Sequence, residues 1–310
     1  DHAQNVLGLF AVNPNSKIFA RKLSDNVDSL IGPDWFVQKV TKALVLREQL
    51  YSQPYYRLIH AEADYLPGLI IDRFEDLLVI QPNAAWVDQL MDELVEALKN
   101  VLAPTSIVIN GAGRARVLEG LDESRCMAFG DMPTAAIEVP MNGAIYFADV
   151  AEGQKTGIFY DQRPNHHFVQ KLSAGKKVLD VFSHVGGFGL AAMANGATEV
   201  TCVDSSQPAL DLAVRGASAT QADVPFEIIK GDAFDVMINM ASQGKIFDIV
   251  VCDPPAFAPQ KASREVGLRA YERVARLASA LVADGGYLAL CSCSHAADLE
   301  RFRASCIRGI

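Results

Sequence analysis

The chain has 310 residues, of which half are hydrophobic, and its formal net charge is −9 with a pI near 5.2. A chain of this length and composition can bury a large core, which excludes a low-complexity protein and favours two or three domains. The sequence contains no apolar run of about 18 residues and no secretory signal pattern, so we expect a cytoplasmic protein with no membrane partner.

Two segments are predicted in the first half of the chain. Residues 6–24 are two alternating apolar runs joined by "NPNS", which predicts a β-hairpin. We assign residues 1–30 to the C-terminal remnant of a small β domain. Residues 31–150 predict a helix over 34–51, a hairpin turning at "DYLPG", an amphipathic helix in "AAWVDQLMDELVEALKNVL", a strand in "SIVIN" and strands near 136–149. This mixture indicates a central α+β domain.

From about residue 176 the pattern changes to a regular alternation of strands and helices. Strands are predicted in "KVLDVF", "EVTCVD", "FEIIKG", "FDIVVCD" and "GYLALCSC", with helical segments separating them. Such alternation is typical of right-handed βαβ units and a parallel sheet that binds ligands at the carboxyl ends of its strands. We therefore predict an α/β, Rossmann-like fold for residues 151–310, with the end of the domain missing.

Acidic residues follow three of these strands and indicate a cofactor. The first strand leads into "VLDVFSHVGGFG", where Gly186 and Gly187 permit a sharp turn beside Asp180. This is not the G-x-G-x-x-G of dinucleotide sites, and an acid there would repel a diphosphate but suit a cationic amino acid. Asp204 is placed to bind ribose hydroxyls. Asp232 is placed to bind an adenine amine, although alone it would be read as a helix cap. Together the three acids predict S-adenosylmethionine.

The fourth strand ends in "VVCDPPAF", residues 250–257. Two prolines fix the backbone and remove two donors, so the turn should be rigid and Asp253 should face the pocket. Among methyltransferases, an acid or amide followed by Pro-Pro marks enzymes that act on bases. Phe257 could then stack on a base drawn out of its helix.

The thiols in "LCSCSH" have a use if the target atom is C5 of a pyrimidine. That carbon needs electron density pushed into the ring, which addition of a thiolate at C6 supplies. Cys293 is our candidate nucleophile, with Asp253 hydrogen-bonding the N3/N4 edge of cytosine. Strand alternation places Cys291 on the same side but closer to the core, where a packing role is favoured. The histidines lack metal-ligand spacing with the cysteines, so we predict no metal.

These motifs resemble a known family, the bacterial 23S rRNA cytosine-C5 methyltransferases, which carry a PUA domain before a class I S-adenosylmethionine-dependent domain. The resemblance covers nearly the whole chain. It rests on "YYRLIHAEADYLPGLIIDRF" (55–74), "GQKTGIFYDQR" (153–163), "FSHVGGFG", "DPPAF" and "CSCS". It implies that residues 1–30 derive from a PUA-like domain, that the central domain binds RNA, and that ribosomal RNA is the partner.

The resemblance also implies roles for individual residues. Cys293 would be the nucleophile and Asp253 its catalytic partner. The position after Asp-Pro-Pro holds Ala256, which favours the branch with a single catalytic cysteine and leaves the acceptor of the C5 proton unassigned. Substrate contacts are implied for Pro255, Phe257 and Arg116. The cofactor-binding residues would be Lys155, Tyr160, Arg163, Asp180, Phe182, Gly186, Gly187, Phe188, Asp204, Asp232, Asp253 and Pro254.

Three alternatives remain open on the sequence. A guanine-N methyltransferase of rRNA would share the "DPP-x-F" turn without needing a thiol. A noncatalytic RNA-binding factor would keep the cofactor domain unused, but the three intact aspartates speak against it. A nicotinamide dehydrogenase is the weakest, because of the acid in the glycine turn. The oligomeric state is open, with a homodimer as one option.

Overall fold

In the computed structural model of the chain, residues 5–151, 153 and 156–310 are described. They divide into two compact units. The first comprises the described residues up to Val139 together with those of Ala148–Asp161, and the second comprises Pro140–Phe147 and Gln162–Ile310. In the part of the chain that the structure describes, no helix combines the length and apolarity needed to cross a membrane.

The first unit contains a five-stranded sheet in the order β3-β4-β5-β6-β7, with α1 before it and α2 and α3 between β5 and β6. The β5–β6 pair is parallel, and the other neighbours are antiparallel. A hairpin of β1 and β2 precedes this sheet. The bounds are β1 Leu9–Val12, β2 Ala20–Ser24, α1 Pro33–Leu50, β3 Tyr55–His60, β4 Leu69–Phe74, β5 Leu77–Pro82, α2 Ala85–Gln89, α3 Met91–Leu102, β6 Ser106–Gly111, α4 Arg114–Leu118 and β7 Ser124–Phe129.

The core of the first unit lies between this sheet and helices α1 and α3. Proline at the first position of α1 suits a helix start, because its missing N–H would have no partner in the helix. The buried face of α1 includes Trp35, Phe36 and Val40, and that of α3 includes Leu94 and Leu98. Phe36 and Val40, and likewise Leu94 and Leu98, are four residues apart, the spacing that brings side chains to the same face of a helix.

The second unit contains a five-stranded sheet in which every neighbouring pair is parallel, in the order β12-β11-β10-β13-β14. The chain enters it through the two-stranded sheet of β8 and β9 and then through α5. The bounds are β8 Ile137–Met141, β9 Ala144–Ala148, α5 Arg163–Gln170, β10 Lys177–Val181, α6 Gly187–Ala194, β11 Glu199–Asp204, α7 Gln207–Thr220, β12 Phe226–Lys230, α8 Ala233–Ser242, β13 Phe247–Cys252, α9 Arg264–Ser279, β14 Val282–Leu290 and α10 Leu299–Gly309.

The central strands of this sheet are buried on both faces. All residues of β10 after Lys177 are buried, and Leu179, Val181 and Val250 join α8 and α9 in one apolar core. Strands covered on both faces read as continuous apolar runs rather than alternating ones, which is how β10 and β13 read in the sequence. The Rossmann-like α/β fold predicted from the sequence is therefore confirmed.

Several local predictions needed correction. The helix expected across residues 84–102 is interrupted at Leu90, which has φ −116° and ψ 26° and ends α2 before α3 begins. Strand β7 and helix α5 were not predicted. The last strand stops at Leu290, so both cysteines of "CSCS" follow the strand, and strand alternation does not determine where they point.

Candidate active site

The turn after β10 is shaped by Asp180. Its side chain is fully buried, and Oδ2 accepts hydrogen bonds from the backbone N–H groups of Phe188, at 3.1 Å, and Gly189, at 2.8 Å. The carboxylate thereby ties the first turn of α6 to the strand before it. The loop between them places the non-glycine residues Phe182 (φ 64°) and His184 (φ 50°) in the left-handed region, followed by Gly186 (φ 81°). Backbone strain of this kind is frequent at functional sites.

Gly187 is required by close packing. A Cβ added there would lie 2.6 Å from Nε2 of His166, whose ring packs edge-on against the Phe188 ring at 4.5 Å between centroids. The hydroxyl of Tyr146 donates to the carbonyl of Gly187 at 3.1 Å. The glycine turn predicted from the sequence thus packs against the side chains of His166 and Tyr146, which belong to the same unit.

The acids after β11 and β12 lie at the carboxyl ends of their strands. Asp204 accepts the His184 N–H through Oδ2 at 2.9 Å and the Ser206 N–H through Oδ1 at 2.8 Å, which connects two neighbouring turns. Asp232 caps α8, with Oδ1 accepting from the backbone of Phe234 and Asp235. Helix capping, the ordinary role of an aspartate at this position, is therefore established for Asp232, and its contact with adenine stays a prediction.

Asp180, Asp204 and Asp253 lie close enough at this end of the sheet for their charges to affect one another. Burial is the main cause that raises the pKa of Asp180 to about 7, and the nearby charges of Asp253 and Asp204 act in the same direction. The N–H donors of Gly189 and Phe188 oppose the shift. Oδ1 of Asp180 is buried and has no hydrogen-bond partner among the described residues. An acceptor so placed fits a ligand with positive charge and N–H donors, as S-adenosylmethionine has, and disfavours a dinucleotide diphosphate.

The Asp-Pro-Pro turn follows β13. The N–H of Asp253 donates to the carbonyl of Val181 at 3.2 Å, so the turn begins beside the end of β10. Pro254 is buried and Pro255 is exposed. Oδ2 of Asp253 accepts a hydrogen bond from Nε2 of Gln162 at 2.8 Å, which links the turn to the segment before α5.

Gln162 is a residue that the sequence did not identify. Its Oε1 accepts from Nδ2 of Asn165 at 2.6 Å, so the amide can present its NH₂ group to Asp253. Gln162 and Asp253 are 91 positions apart in the sequence. In the sequence, Gln162 stood out only by its position in the "GQKTGIFYDQR" motif, and a motif does not show which residue a side chain contacts.

The two cysteines after β14 have different surroundings. Cys293 is exposed, and its Sγ lies 3.9 Å from the carbonyl oxygen of Pro254. Cys291 is half-buried, and burial is the main cause that raises the pKa of its thiol to about 12. Cys291 is therefore a neutral thiol at neutral pH, whereas Cys293 is the thiol presented at the Asp-Pro-Pro turn.

Phe257 lies within an aromatic cluster. Its ring centroid is 5.0 Å from that of Tyr271, 6.2 Å from Phe234 and 6.4 Å from Phe182. The Phe257 side chain is half-buried among these rings. The structure therefore gives Phe257 a packing role, and stacking on a base stays a prediction.

Several residues to which the resemblance assigns cofactor or substrate contacts make contacts within the protein, and their assigned roles stay predictions. Arg163 exchanges hydrogen bonds with Asn142 at the start of α5. Tyr160 belongs to the first unit, where its hydroxyl donates to the carbonyl of Arg73. Arg116 also belongs to that unit, is 4% exposed and makes a bidentate pair with Asp88 at 2.8 Å, so its contacts are structural. Lys155 lies outside the described residues.

A cavity of about 450 Å³ lies beside the cysteine segment in the second unit. Cys291, Ser292 and Gln162 contribute to its wall, together with Phe188 and residues of α5 and α10. Within the ranges that the structure describes, no group of three or more His, Cys, Asp or Glu side chains is arranged to hold a metal ion.

The parallel sheet, the glycine turn and the acids at the strand ends define a Rossmann-like domain of the methyltransferase type. A profile of the S-adenosylmethionine-dependent methyltransferase family matches residues 57–302. The chain therefore belongs to this family, and S-adenosylmethionine is its cofactor.

Individual relatives give a closer comparison. The chain is 33% identical over 297 residues to ribosomal RNA large subunit methyltransferase I of Yersinia pseudotuberculosis, a match that covers 94% of this chain and 75% of the relative. The protein of the same name from Yersinia pestis gives the same values.

Two solved structures share the fold. One, a protein described as a methyltransferase and complexed with SAH, has a TM-score of 0.84 at 23% identity and covers 98% of this chain and 78% of its own. The other, described as a SAM-dependent methyltransferase from Streptococcus mutans, has a TM-score of 0.83 at 22% identity and covers 99% of this chain and 79% of its own.

Proposed function

We propose that this chain methylates C5 of a cytosine in large-subunit ribosomal RNA, using Cys293 as a covalent nucleophile. The observation that carries the proposal is the exposed Cys293 thiol, whose Sγ lies 3.9 Å from the Pro254 carbonyl of the Asp-Pro-Pro turn. Ribosomal RNA as the substrate is supported by the name of the Yersinia relatives. A pyrimidine C5 as the target is supported by its need for a nucleophilic thiol, and cytosine by the Asp253 carboxylate, which can accept a hydrogen bond from an N4 amino group.

Three aspartates are the residues that we propose bind the cofactor. S-adenosylmethionine, when bound, supplies an electrophilic methyl group. The cofactor would be held by Asp180, Asp204 and Asp232, which lie at the carboxyl ends of strands β10, β11 and β12. The unpaired Oδ1 of Asp180 suits an N–H donor of the ligand, since burial makes a partner for that atom valuable.

The thiolate of Cys293 would add to C6 of the cytosine and form a carbon–sulfur bond. The electrons of the C5–C6 double bond then make C5 nucleophilic, while Asp253 accepts a hydrogen bond from the N4 amino group. After methylation, a general base takes the C5 proton, the electrons of the C5–H bond re-form the C5–C6 double bond, and the carbon–sulfur bond breaks to release the Cys293 thiolate. Gln162 would keep the Asp253 carboxylate oriented toward the base, because it donates a hydrogen bond to Oδ2.

The proposal is tested by trapping with RNA that contains 5-fluorocytidine. Fluorine at C5 cannot leave as a cation, so the covalent adduct should persist and appear as a shifted band on a denaturing gel. We expect an adduct with the unmodified protein and with Cys291→Ser, and none with Cys293→Ser. Bisulfite sequencing of the RNA would identify the target cytosine.

Two outcomes would contradict the proposal. An adduct retained by Cys293→Ser would assign the chemistry to another thiol. Efficient methylation without any adduct, with N-methylguanine as the product by nucleoside mass spectrometry, would instead identify the protein as a guanine-N methyltransferase.

A further inference from the structure

The serines of "CSCS" are part of a closed hydrogen-bond ring with Tyr271, a residue of α9. The Ser292 hydroxyl donates to the Tyr271 hydroxyl at 2.9 Å, and the Tyr271 and Ser294 hydroxyls are 2.7 Å apart. The N–H of Ser294 donates to Oγ of Ser292 at 3.2 Å, which closes the ring. Tyr271 is 1% exposed and Ser294 is 7% exposed, so the hydroxyls of these two residues are shielded from water.

This ring is attached to the chain that follows the Asp-Pro-Pro turn. The N–H of Ala258 donates to Oγ of Ser294 at 2.9 Å, and the N–H of Ala296 donates to the Ala258 carbonyl at 3.2 Å. Ala258 is fully buried, and the Tyr271 ring packs against Phe257 at 5.0 Å. The segments that carry Cys293 and Asp253 are therefore joined on both sides of Cys293, by Cys291 N–H to the Cys252 carbonyl at 2.9 Å and by Ser294 and Ala296 to Ala258.

We propose that Tyr271 is a positioning residue: its hydroxyl closes the ring with Ser292 and Ser294 and so holds the Cys293 thiol at the Asp-Pro-Pro turn. This inference rests on the proposed nucleophilic role of Cys293. Strand β14 ends at Leu290, so strand hydrogen bonds do not fix the backbone at Cys293. The ring can do so, because the Tyr271 and Ser294 hydroxyls are buried and breaking their contact would leave them without a partner.

The two hydrogen bonds of its hydroxyl explain why a tyrosine is needed at position 271. The Tyr271 hydroxyl accepts from the Ser292 hydroxyl and shares a second hydrogen bond with Oγ of Ser294, in which either oxygen can donate. A phenylalanine would keep the packing against Phe257 and Phe302 but would lose both hydrogen bonds. Reactions that depend on a near-attack geometry are sensitive to displacements of about 1 Å.

The test compares Tyr271→Phe with the unmodified protein in the 5-fluorocytidine trapping reaction. We expect the rate of adduct formation and kcat to fall by about tenfold or more, with KM for RNA and Kd for S-adenosylmethionine changed by less than about twofold. Tyr56→Phe is the matched control, since it removes another buried tyrosine hydroxyl, which accepts from Arg73 in the first unit. That variant should react at the unmodified rate.

Amide exchange supplies a second readout that does not depend on the chemistry. The peptide containing residues 291–296 should exchange faster in Tyr271→Phe, while peptides of β10 and β11 stay unchanged. If Tyr271→Phe does not fold, Ser292→Ala tests the positioning role instead. Ser292 is exposed, so its replacement should not prevent folding, and it removes the hydrogen bond that the Ser292 hydroxyl donates to Tyr271.

The two proposals fail in different ways. Adduct formation at an unchanged rate in the folded Tyr271→Phe protein, or in Ser292→Ala where the first variant is unfolded, would overturn the positioning role. Absence of an adduct in the unmodified protein would overturn the covalent mechanism itself.

Discussion

Asp180 couples the stability of the second unit to pH. Its pKa in the folded protein is about 7, against an ordinary value of 3.8, so between these values the folded state binds more protons than the unfolded state. Stability should therefore fall as the pH rises from about 4 to about 7. Asp180→Asn keeps an acceptor for the two N–H groups of α6 and removes the buried charge.

We expect Asp180→Asn to be more stable than the unmodified protein at pH 8, by up to about 4 kcal/mol, and to gain little at pH 4. Urea unfolding between pH 4 and 8 measures this difference. Asp248→Asn is the control, because Asp248 also accepts a backbone N–H, from Lys177, but is about one-third exposed. Parallel pH curves for Asp180→Asn and the unmodified protein would show that Asp180 is not the cause.

Gln162 should matter for the rate rather than for folding. Replacing it with leucine removes the donor at Oδ2 of Asp253, so the carboxylate can rotate away from the base. We expect kcat to fall by about tenfold or more, with the melting temperature nearly unchanged. Single-turnover methylation is the measurement.

Gln207→Leu is the matched control for Gln162→Leu, because it removes an amide–carboxylate hydrogen bond with Asp211 on an exposed surface. Gln162→Glu adds a second carboxylate beside Asp253 and should be slower still at neutral pH. Equal rates for Gln162→Leu and the unmodified protein would rule out the orienting role.

Among the secondary-structure elements, the β3–β4 hairpin depends on a buried ion pair. Arg57 and Asp72 are register partners, Asp72 is fully buried, and their atoms Nε and Oδ1 are 2.8 Å apart. The Thr156 hydroxyl donates to the other oxygen of Asp72 at 2.7 Å. Through this bond the pair also holds Thr156 of the "GQKTGIFYDQR" segment in the first unit.

Arg57→Leu should destabilise the first unit by about 3–5 kcal/mol, because it leaves a buried carboxylate without its cation. Denaturant unfolding followed by tryptophan fluorescence suits this unit, since Trp35 and Trp86 lie in its core. Lys177→Met removes a surface pair with Glu199 and should leave the stability unchanged. A loss in Arg57→Leu no greater than in this control would contradict the structural role of the pair.

For the chain as a whole, the division into two compact units predicts a localised response to the cofactor. S-adenosylmethionine at a hundred times its Kd should stabilise the second unit by about 2.7 kcal/mol. Hydrogen exchange should then slow in residues 180–189, 204–206 and 232–235, and stay unchanged in strands β3–β7. Equal slowing in both units would contradict cofactor binding at the carboxyl ends of β10–β12 alone.

The sequence predicted the features that depend on local pattern. The buried parallel strands gave continuous apolar runs, and the acids at their ends, Asp180, Asp204 and Asp232, lie at the same edge of the sheet because parallel strands end together. The sequence did not predict contacts between residues that are distant along the chain. Arg116 pairs with Asp88, 28 positions away, and its contact with substrate stays a prediction.

The sequence by itself determined the fold class, which strands are followed by acidic residues, and that two cysteines follow the last strand. These features follow from hydrophobic periodicity and from short motifs. Tertiary structure alone decided how exposed each thiol is and which side chains orient Asp253 and the cysteine segment. The contacts of Gln162 with Asp253 and of Tyr271 with Ser294 join positions 91 and 23 apart, and hydrogen bonds over such separations exist only once the sheet has brought the loops together.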